Sequence, residues 1–222
     1  MSDLHDRFPK FYALEEEKQT RIINAAMSEF LHGFKEAKTD NIVREAGISK
    51  GLLFHYFGTK EQLFGFLIDH AIDIIQAEFI ELINVTEQDV LAFVWQAALL
   101  KLDVSKRFPV MFDFIAHSYL DTRHTMAAAQ AEHMARFIEM RHRAMNMAMA
   151  NCDMSLFRDG IDPHRAIELI NWALAGYGEA RAHAERAKET RETRENYEQY
   201  LDEFREYLTI LRKCFYKEEG SA

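Results

Sequence analysis

Apolar residues recur along this chain at helical spacing. Between about 15 and 32, Ile22, Ile23, Ala26, Met27, Phe30 and Leu31 fall on one helical face, and Gly33 should end that helix. A short helix over about 39–46 would turn Ile42, Val43 and Ala46 inward, with Gly47 as its stop. Ser49 is a good N-cap for a third short helix through Phe57, which Gly58 ends. Thr59 and Gln62 have capping-box spacing and should open a longer helix carrying Leu63, Phe64, Phe66, Leu67, Ala71, Ile74 and Ile75. Farther on, a helix over about 87–104 would bury Val90, Leu91, Phe93, Val94, Ala97, Leu100 and Leu102. The stretch RFPVMFDFIAHSYLD, 107–121, is interrupted early by Pro109. A long helix over about 125–151 is rich in Ala, Met and His. Asp162 as N-cap and Pro163 at the first helical position open a helix over about 163–187, and a last one should span about 194–216. Strand-like runs of alternating Val, Ile and Thr are missing, so the expected class is all-α, with about nine helices.

Composition supports that reading. The 222 residues are 48% hydrophobic, enough for a packed core, and hold only three prolines and nine glycines. A chain of this length could be one large domain or a small domain joined to a larger one, and the expected domains are 1–60 and 61–222. The N-terminus MSDLHDRFPKFYALEEE is polar and acidic, with no signal-peptide pattern, and the most apolar run, VLAFVWQAALL, is too short to span a bilayer. Cys152 and Cys214 form neither a disulfide framework nor a metal spacing, which fits a reducing, cytoplasmic setting. Residues 1–60 balance nine Lys/Arg against nine Asp/Glu, so the net charge of −9 lies wholly in 61–222. An acidic total is compatible with DNA binding when cations share one face.

The stretch EAGISKGLLFHYFGTKEQLF, 45–64, carries the chemistry. Two short helices joined by a brief glycine-containing turn form a helix-turn-helix, whose second helix enters the major groove with its N-terminal residues foremost. Leu53 and Phe57, four apart, can pin that helix to the core, with Phe54 assisting. Ser49, Lys50, Gly51, Leu52, His55 and Tyr56 are left for the other face or its edge. Gly51 lets the backbone approach DNA closely, and the N-termini of this helix and the next offer N–H groups to phosphate. Taken singly, His55 would pass for a surface histidine, Tyr56 for a half-buried core aromatic and Lys60 for a solvated cation. The order of the whole stretch is what points to DNA. Lys60 also opposes the dipole of its helix, a placement that a phosphate partner would explain.

These residues resemble the DNA-binding domain of the tetracycline-repressor (TetR/AcrR) family of bacterial regulators. RIINAAMSEFLHGF resembles the family's first helix, and TDNIVREAGISKGLLFHYFGTKEQLF its second to fourth, over about Arg21 to Leu67. The resemblance implies that Thr39 meets phosphate or a base edge. It puts Lys50, Gly51, Leu52 and His55 in the major groove, and Tyr56 and Lys60 on phosphates. Two positions depart from the pattern. Lys38 stands where Ser or Thr often caps the second helix, and Leu52 where Thr or Ser is frequent. Leucine cannot hydrogen-bond a base but can pack on a thymine methyl.

Past about residue 75 the resemblance is one of layout only. It implies a homodimer through the last two helices, about 163–187 and 194–216, and a small-molecule site in the second domain. ALAGYGEARAHA, 173–184, offers small residues for close helix contact, although intrachain packing would use them equally. The link ERAKETRETRENYEQ should be a solvated helix end and loop. Candidate pocket residues are Phe93, Trp95, Met111, Phe112, Asp113, Phe114, His117, Tyr119, Phe137, Met140, Trp172, Tyr177 and Glu179. A plain core would also use the apolar ones, and the two carboxylates could equally face solvent. If they line a pocket, the effector is apolar or aromatic, with a carboxylate wall favouring a cation. His133 and His142, or His117 and His124, lack i,i+4 metal spacing, so no metal or other cofactor is expected.

The expected function is a ligand-responsive DNA-binding regulator, a repressor, that grips a pseudo-palindromic operator as a homodimer. The rival is a DNA-binding structural or cell-division factor on the same fold without an inducer. A helical enzyme is disfavoured: the sequence shows no nucleophile–base pairing, phosphate loop or metal-ligand set. No membrane partner is expected.

Overall fold

The computed structural model describes residues 4–84, 86–122, 128–187 and 194–218. Among them are eleven α-helices and no strand. They are α1 (Leu4–Arg7), α2 (Pro9–Tyr12), α3 (Glu16–Phe30), α4 (Thr39–Ala46), α5 (Lys50–Phe57) and α6 (Lys60–Ile75). After one π-helical turn, Gln76–Ile80, come α7 (Val90–Arg107), α8 (Pro109–Thr122), α9 (Ala128–Ala150), α10 (Pro163–Ala187) and α11 (Arg194–Phe215). The chain forms two compact units, Met1–Glu81 with Arg107–Met140, and Leu82–Lys106 with Arg141–Ala222. Of the link 185–199, residues 188–193 lie outside the described residues, and the rest are the end of α10 and the start of α11.

In the first unit α3 packs on α4 and α8, and α5 on α6. Two aromatic clusters make its core. Phe30, Phe64 and Phe114 meet with centroids 5.0 Å (Phe30–Phe64) and 5.5 Å (Phe64–Phe114) apart. Phe11, Phe57 and Phe66 meet at 4.9–5.1 Å. The second cluster depends on α1 and α2, which periodicity does not reveal. Leu4 and Phe11 there are buried as fully as any residue of α3. Phe54 departs from the sequence expectation. It is exposed, because Leu53 and Phe57 already fill the side of α5 that faces the core.

The second unit is closed by its C-terminus. Phe157 and Tyr216 pair as an isolated bridge, and Lys217 N–H donates to the Leu156 carbonyl at 2.9 Å. Asp89 caps α7, accepting from Leu91 N–H (2.9 Å) and Ala92 N–H (3.2 Å), which explains why α7 starts at Val90. The same carboxylate accepts from Tyr216 Oη at 2.9 Å and pairs with Arg212. Burial, and then Asp89, push the Tyr216 phenol well above its ordinary range.

Candidate nucleic-acid interface

The N-terminus of α4 lacks the side-chain cap that a Ser or Thr at position 38 would supply. Glu29 of α3 instead holds the N-cap residue's own N–H, the bond that the second half of a capping box would make. Its Oε1 accepts from Lys38 N–H at 2.7 Å and from Asn41 Nδ2 at 3.1 Å. An anion beside these N–H groups also suits the helix dipole. Arg44 donates to Asn41 Oδ1 at 2.9 Å, and Arg21 of α3 donates to the Ala46 carbonyl at 2.9 Å. α4 is thus held at both ends, with Thr39 half-buried in its first turn. Gly47 closes it in the left-handed region (φ 64°), where Ile48 N–H reaches back to the Val43 carbonyl at 3.0 Å.

Ser49 Oγ then accepts from Leu52 N–H at 3.2 Å and opens α5. Leu53 and Phe57 are 1% and 2% exposed and fix the helix rotation. That rotation leaves Ser49, Lys50, Gly51, Leu52 and His55 on the solvent side. A Cβ at Gly51 would meet only Ser49 Oγ, at 3.9 Å, so no intramolecular contact demands glycine there. Tyr56 is half-buried, its ring edge-on to Phe11 at 6.4 Å.

The start of α6 carries the full capping box. Thr59 Oγ1 accepts from Gln62 N–H at 3.1 Å, and Gln62 Oε1 accepts from Thr59 N–H at 3.0 Å. Gly58 has φ 78°, and a Cβ on it would lie 2.1 Å from Gln62 Oε1, so the box and a side chain at 58 exclude one another. Lys60 turns inward. Its Nζ donates to the Ala37 carbonyl at 2.6 Å and lies 4.8 Å from the Phe34 ring centroid. That bond commits one of the three ammonium N–H donors.

Three contributors escape the sequence reading. Glu29 holds the N-cap residue of α4 from another helix. Asp40, exposed in the first turn of α4, holds Lys50 Nζ at 2.9 Å. Phe11 backs Tyr56 and Phe57 from an N-terminal helix of four residues. Only the FPKFY aromatic spacing hinted at the last; nothing local marked the other two.

Residues 22–65 match the family described as "Bacterial regulatory proteins, tetR family". The match covers the helix-turn-helix helices and ends early in α6. The fold agrees with solved structures along most of the chain. A putative fatty acid metabolism regulator of Clostridium perfringens superposes with TM-score 0.57 at 16% identity, covering 89% of this chain and 100% of that one. A TetR-family transcriptional regulator of Chloroflexus aurantiacus gives 0.53 at 17%, covering 95% and 98%. The ketosteroid transcriptional regulator of Mycobacterium tuberculosis gives 0.52 at 15%, covering 92% and 97%. Likenesses at this identity concern the fold. No curated protein matches the chain in sequence. A tetR-family match over residues 22–65 supports a DNA-binding transcriptional regulator. Among the described residues, no helix is long and apolar enough to cross a membrane.

The expected effector residues divide between the two units. In the first, Met111, Phe112, Phe114 and Phe137 are buried, and Asp113, His117 and Met140 are half-buried. The Tyr119 side chain lies outside the described residues. In the second, Phe93 is buried, and Arg205 lies over the half-buried Trp95 ring at 4.6 Å. Tyr177 stacks on Tyr200 and Phe204 at 5.4 and 5.8 Å and donates to Glu203 Oε2 at 2.9 Å. Glu179 is exposed, and Trp172 is 66% exposed. An open groove of about 660 Å³ along α3 and α4 is walled by Glu17, Arg21, Glu29, Arg44 and Glu45, and none of the expected pocket residues lines it. Its charged walls do not suit an apolar effector.

Proposed function

We propose that the chain is a homodimeric, ligand-responsive repressor that places α5 of each subunit in one major groove of a pseudo-palindromic operator. The observation that carries this is the solvent face of α5. Lys50, Gly51, Leu52 and His55 stand together on it, while Leu53 and Phe57 lock its rotation. Thr39, Ser49 and Tyr56 flank that face as phosphate contacts, with the capped N-termini of α5 and α6 adding N–H groups. Lys60 contributes by holding the 35–37 turn. Residues 1–60 form the DNA-binding part and 61–222 the effector-binding and dimerising part. Its target places its action in the bacterial cytoplasm.

Dimerisation through α10 and α11 is supported by exposed apolar stripes. On α10, Leu169 and Trp172 continue into Ala173 and Gly176 at helical spacing, and on α11 Tyr207 and Ile210 stand 44% and 55% exposed. Trp172 therefore suits the subunit contact. The effector is assigned to the 61–222 part, with Asp113 or Glu179 as the carboxylate that would favour a cation. Structural neighbours named for fatty acid metabolism and for ketosteroids favour an apolar effector class. The inducer-free structural factor draws support from Phe93, Phe112 and Phe114, each at most 5% exposed, as in a closed core.

Selection of bound sequences from random DNA at near-physiological salt tests the reading. An inverted repeat is expected. Recovery of no motif, with only salt-sensitive binding, would favour the structural factor.

A further inference from the structure

Asp69 of α6 is 1% exposed and ionically paired on both oxygens. Oδ2 accepts from Arg7 Nη1 of α1 at 3.0 Å. Oδ1 accepts from Arg136 Nη1 of α9 at 2.7 Å and lies 3.1 Å from His133 Nδ1. The His133 ring can approach because position 65 is glycine. A Cβ there would sit 2.6 Å from His133 Nε2. One buried carboxylate thus joins three helices.

Burying a charge is unfavourable unless its partners are complete, and an apolar cluster would serve stability as well or better. Such an arrangement fixes register instead. What Arg7 holds gives the register a purpose. Its guanidinium lies 5.4 Å from the Phe8 ring centroid, and Phe8 lies 4.9 Å from Phe66 and 5.9 Å from Phe57. Phe11, fully buried, completes the contact with Phe57 at 4.9 Å. Phe57 is the last residue of α5 and one of its two anchors. At the other end of this path is α9, Ala128–Ala150, which carries His133 and Arg136.

We infer that Asp69 is a positioning residue for the recognition helix. A shift of α9 changes what Oδ1 holds, the carboxylate readjusts toward Arg7, and the α1–α2 pair moves its grip on Phe57. The inference rests on the regulator reading and specifies one route for its control. It assigns a task to α1 and α2, the N-terminal helices that pack against α5 and α6.

The test uses the full-length chain with Arg136→Gln, Arg7→Gln and the double variant. Each substitution leaves the buried Asp69 short of one cation, so retained helical content is checked by circular dichroism and any global loss of stability is read from the α3 reference. Amide exchange is followed at 53–58 and, as an internal reference, at 22–30 in α3. Each single variant should speed exchange at 53–58 by roughly two- to tenfold relative to the reference, and the double variant by no more than the larger single effect. Affinity for the selected operator should fall in the same non-additive pattern. Unchanged exchange at 53–58, equal acceleration in α3, or additive effects in the double variant would overturn the relay. The exchange readout needs no DNA. If the chain selects no operator, the regulator reading fails while the relay is still decided. Asp69→Asn should reproduce the pattern with a larger amplitude, and an exchange profile matching the unsubstituted chain would equally reject it.

Discussion

The Lys60 ammonium donates to the Ala37 carbonyl at 2.6 Å and ties the start of α6 to the turn before α4. On the proposed reading both helix starts face DNA, and this bond sets their spacing. Lys60→Met keeps the stem over Phe34 and removes the bond. Stability should fall by about 1 kcal/mol, read by urea denaturation. The salt slope of DNA binding should stay unchanged. A slope smaller by about 0.9 would instead show that Lys60 neutralises a phosphate.

Gly51 offers the converse case. Its Cβ position is open, and its backbone is helical. Gly51→Ala should stabilise the fold by about 0.5–1 kcal/mol. If backbone and DNA approach closely there, operator affinity should drop at least severalfold. Thermal melting and a binding titration moving in opposite directions would show that this glycine serves DNA rather than folding.

Asp40 holds Lys50 at 2.9 Å on an exposed surface. Such a pair adds at most about 1 kcal/mol to stability. Asp40→Asn releases a cation beside the groove-facing residues. Binding to random DNA should tighten, and the ratio of operator to random affinity should shrink. Competition with bulk DNA measures both quantities.

His70 stacks on Phe66 with centroids 5.8 Å apart, and burial lowers its pKa from the ordinary 6.5, partly countered by Asp73. The fold therefore favours the neutral ring. Above pH 6.5 both folded and unfolded states are neutral there, and the contribution is complete. As pH falls, the unfolded chain takes up the proton first, and stability is lost until the folded-state pKa is passed. His70→Gln should make the stability difference between about pH 7.5 and about pH 5.5 smaller, as denaturation midpoints at the two values would report.

Trp172 stands 66% exposed on the stripe that includes Leu169. Trp172→Glu should leave the helical content intact and convert the dimer to monomer in sedimentation, with loss of cooperative operator binding. A dimer that survives would place the contact elsewhere.

The sequence by itself determined the parts whose signals are local. Helix stops at Gly47 and Gly58, the Ser49 cap, the Thr59–Gln62 box and the Pro163 start need only a few neighbouring residues, and α4, α5 and α10 fall where these signals place them. The solvent-facing side of α5 was legible too, because Leu53 and Phe57 show one helical period. What tertiary structure alone decided are the groups that find partners far along the chain. A four-residue helix has no period to read, so Phe11 looked like a polar tail until Phe57 and Phe66 enclosed it. Phe54 and Phe57 are alike in type, and only the neighbouring helices expose one and bury the other. Asp69 meets Arg7, His133 and Arg136, 62, 64 and 67 positions away, and Lys50 and Lys60 turn to oxygens on other elements. Periodicity specifies which side of a helix is apolar. Which charges meet depends on how the helices pack, and that is set by the whole core.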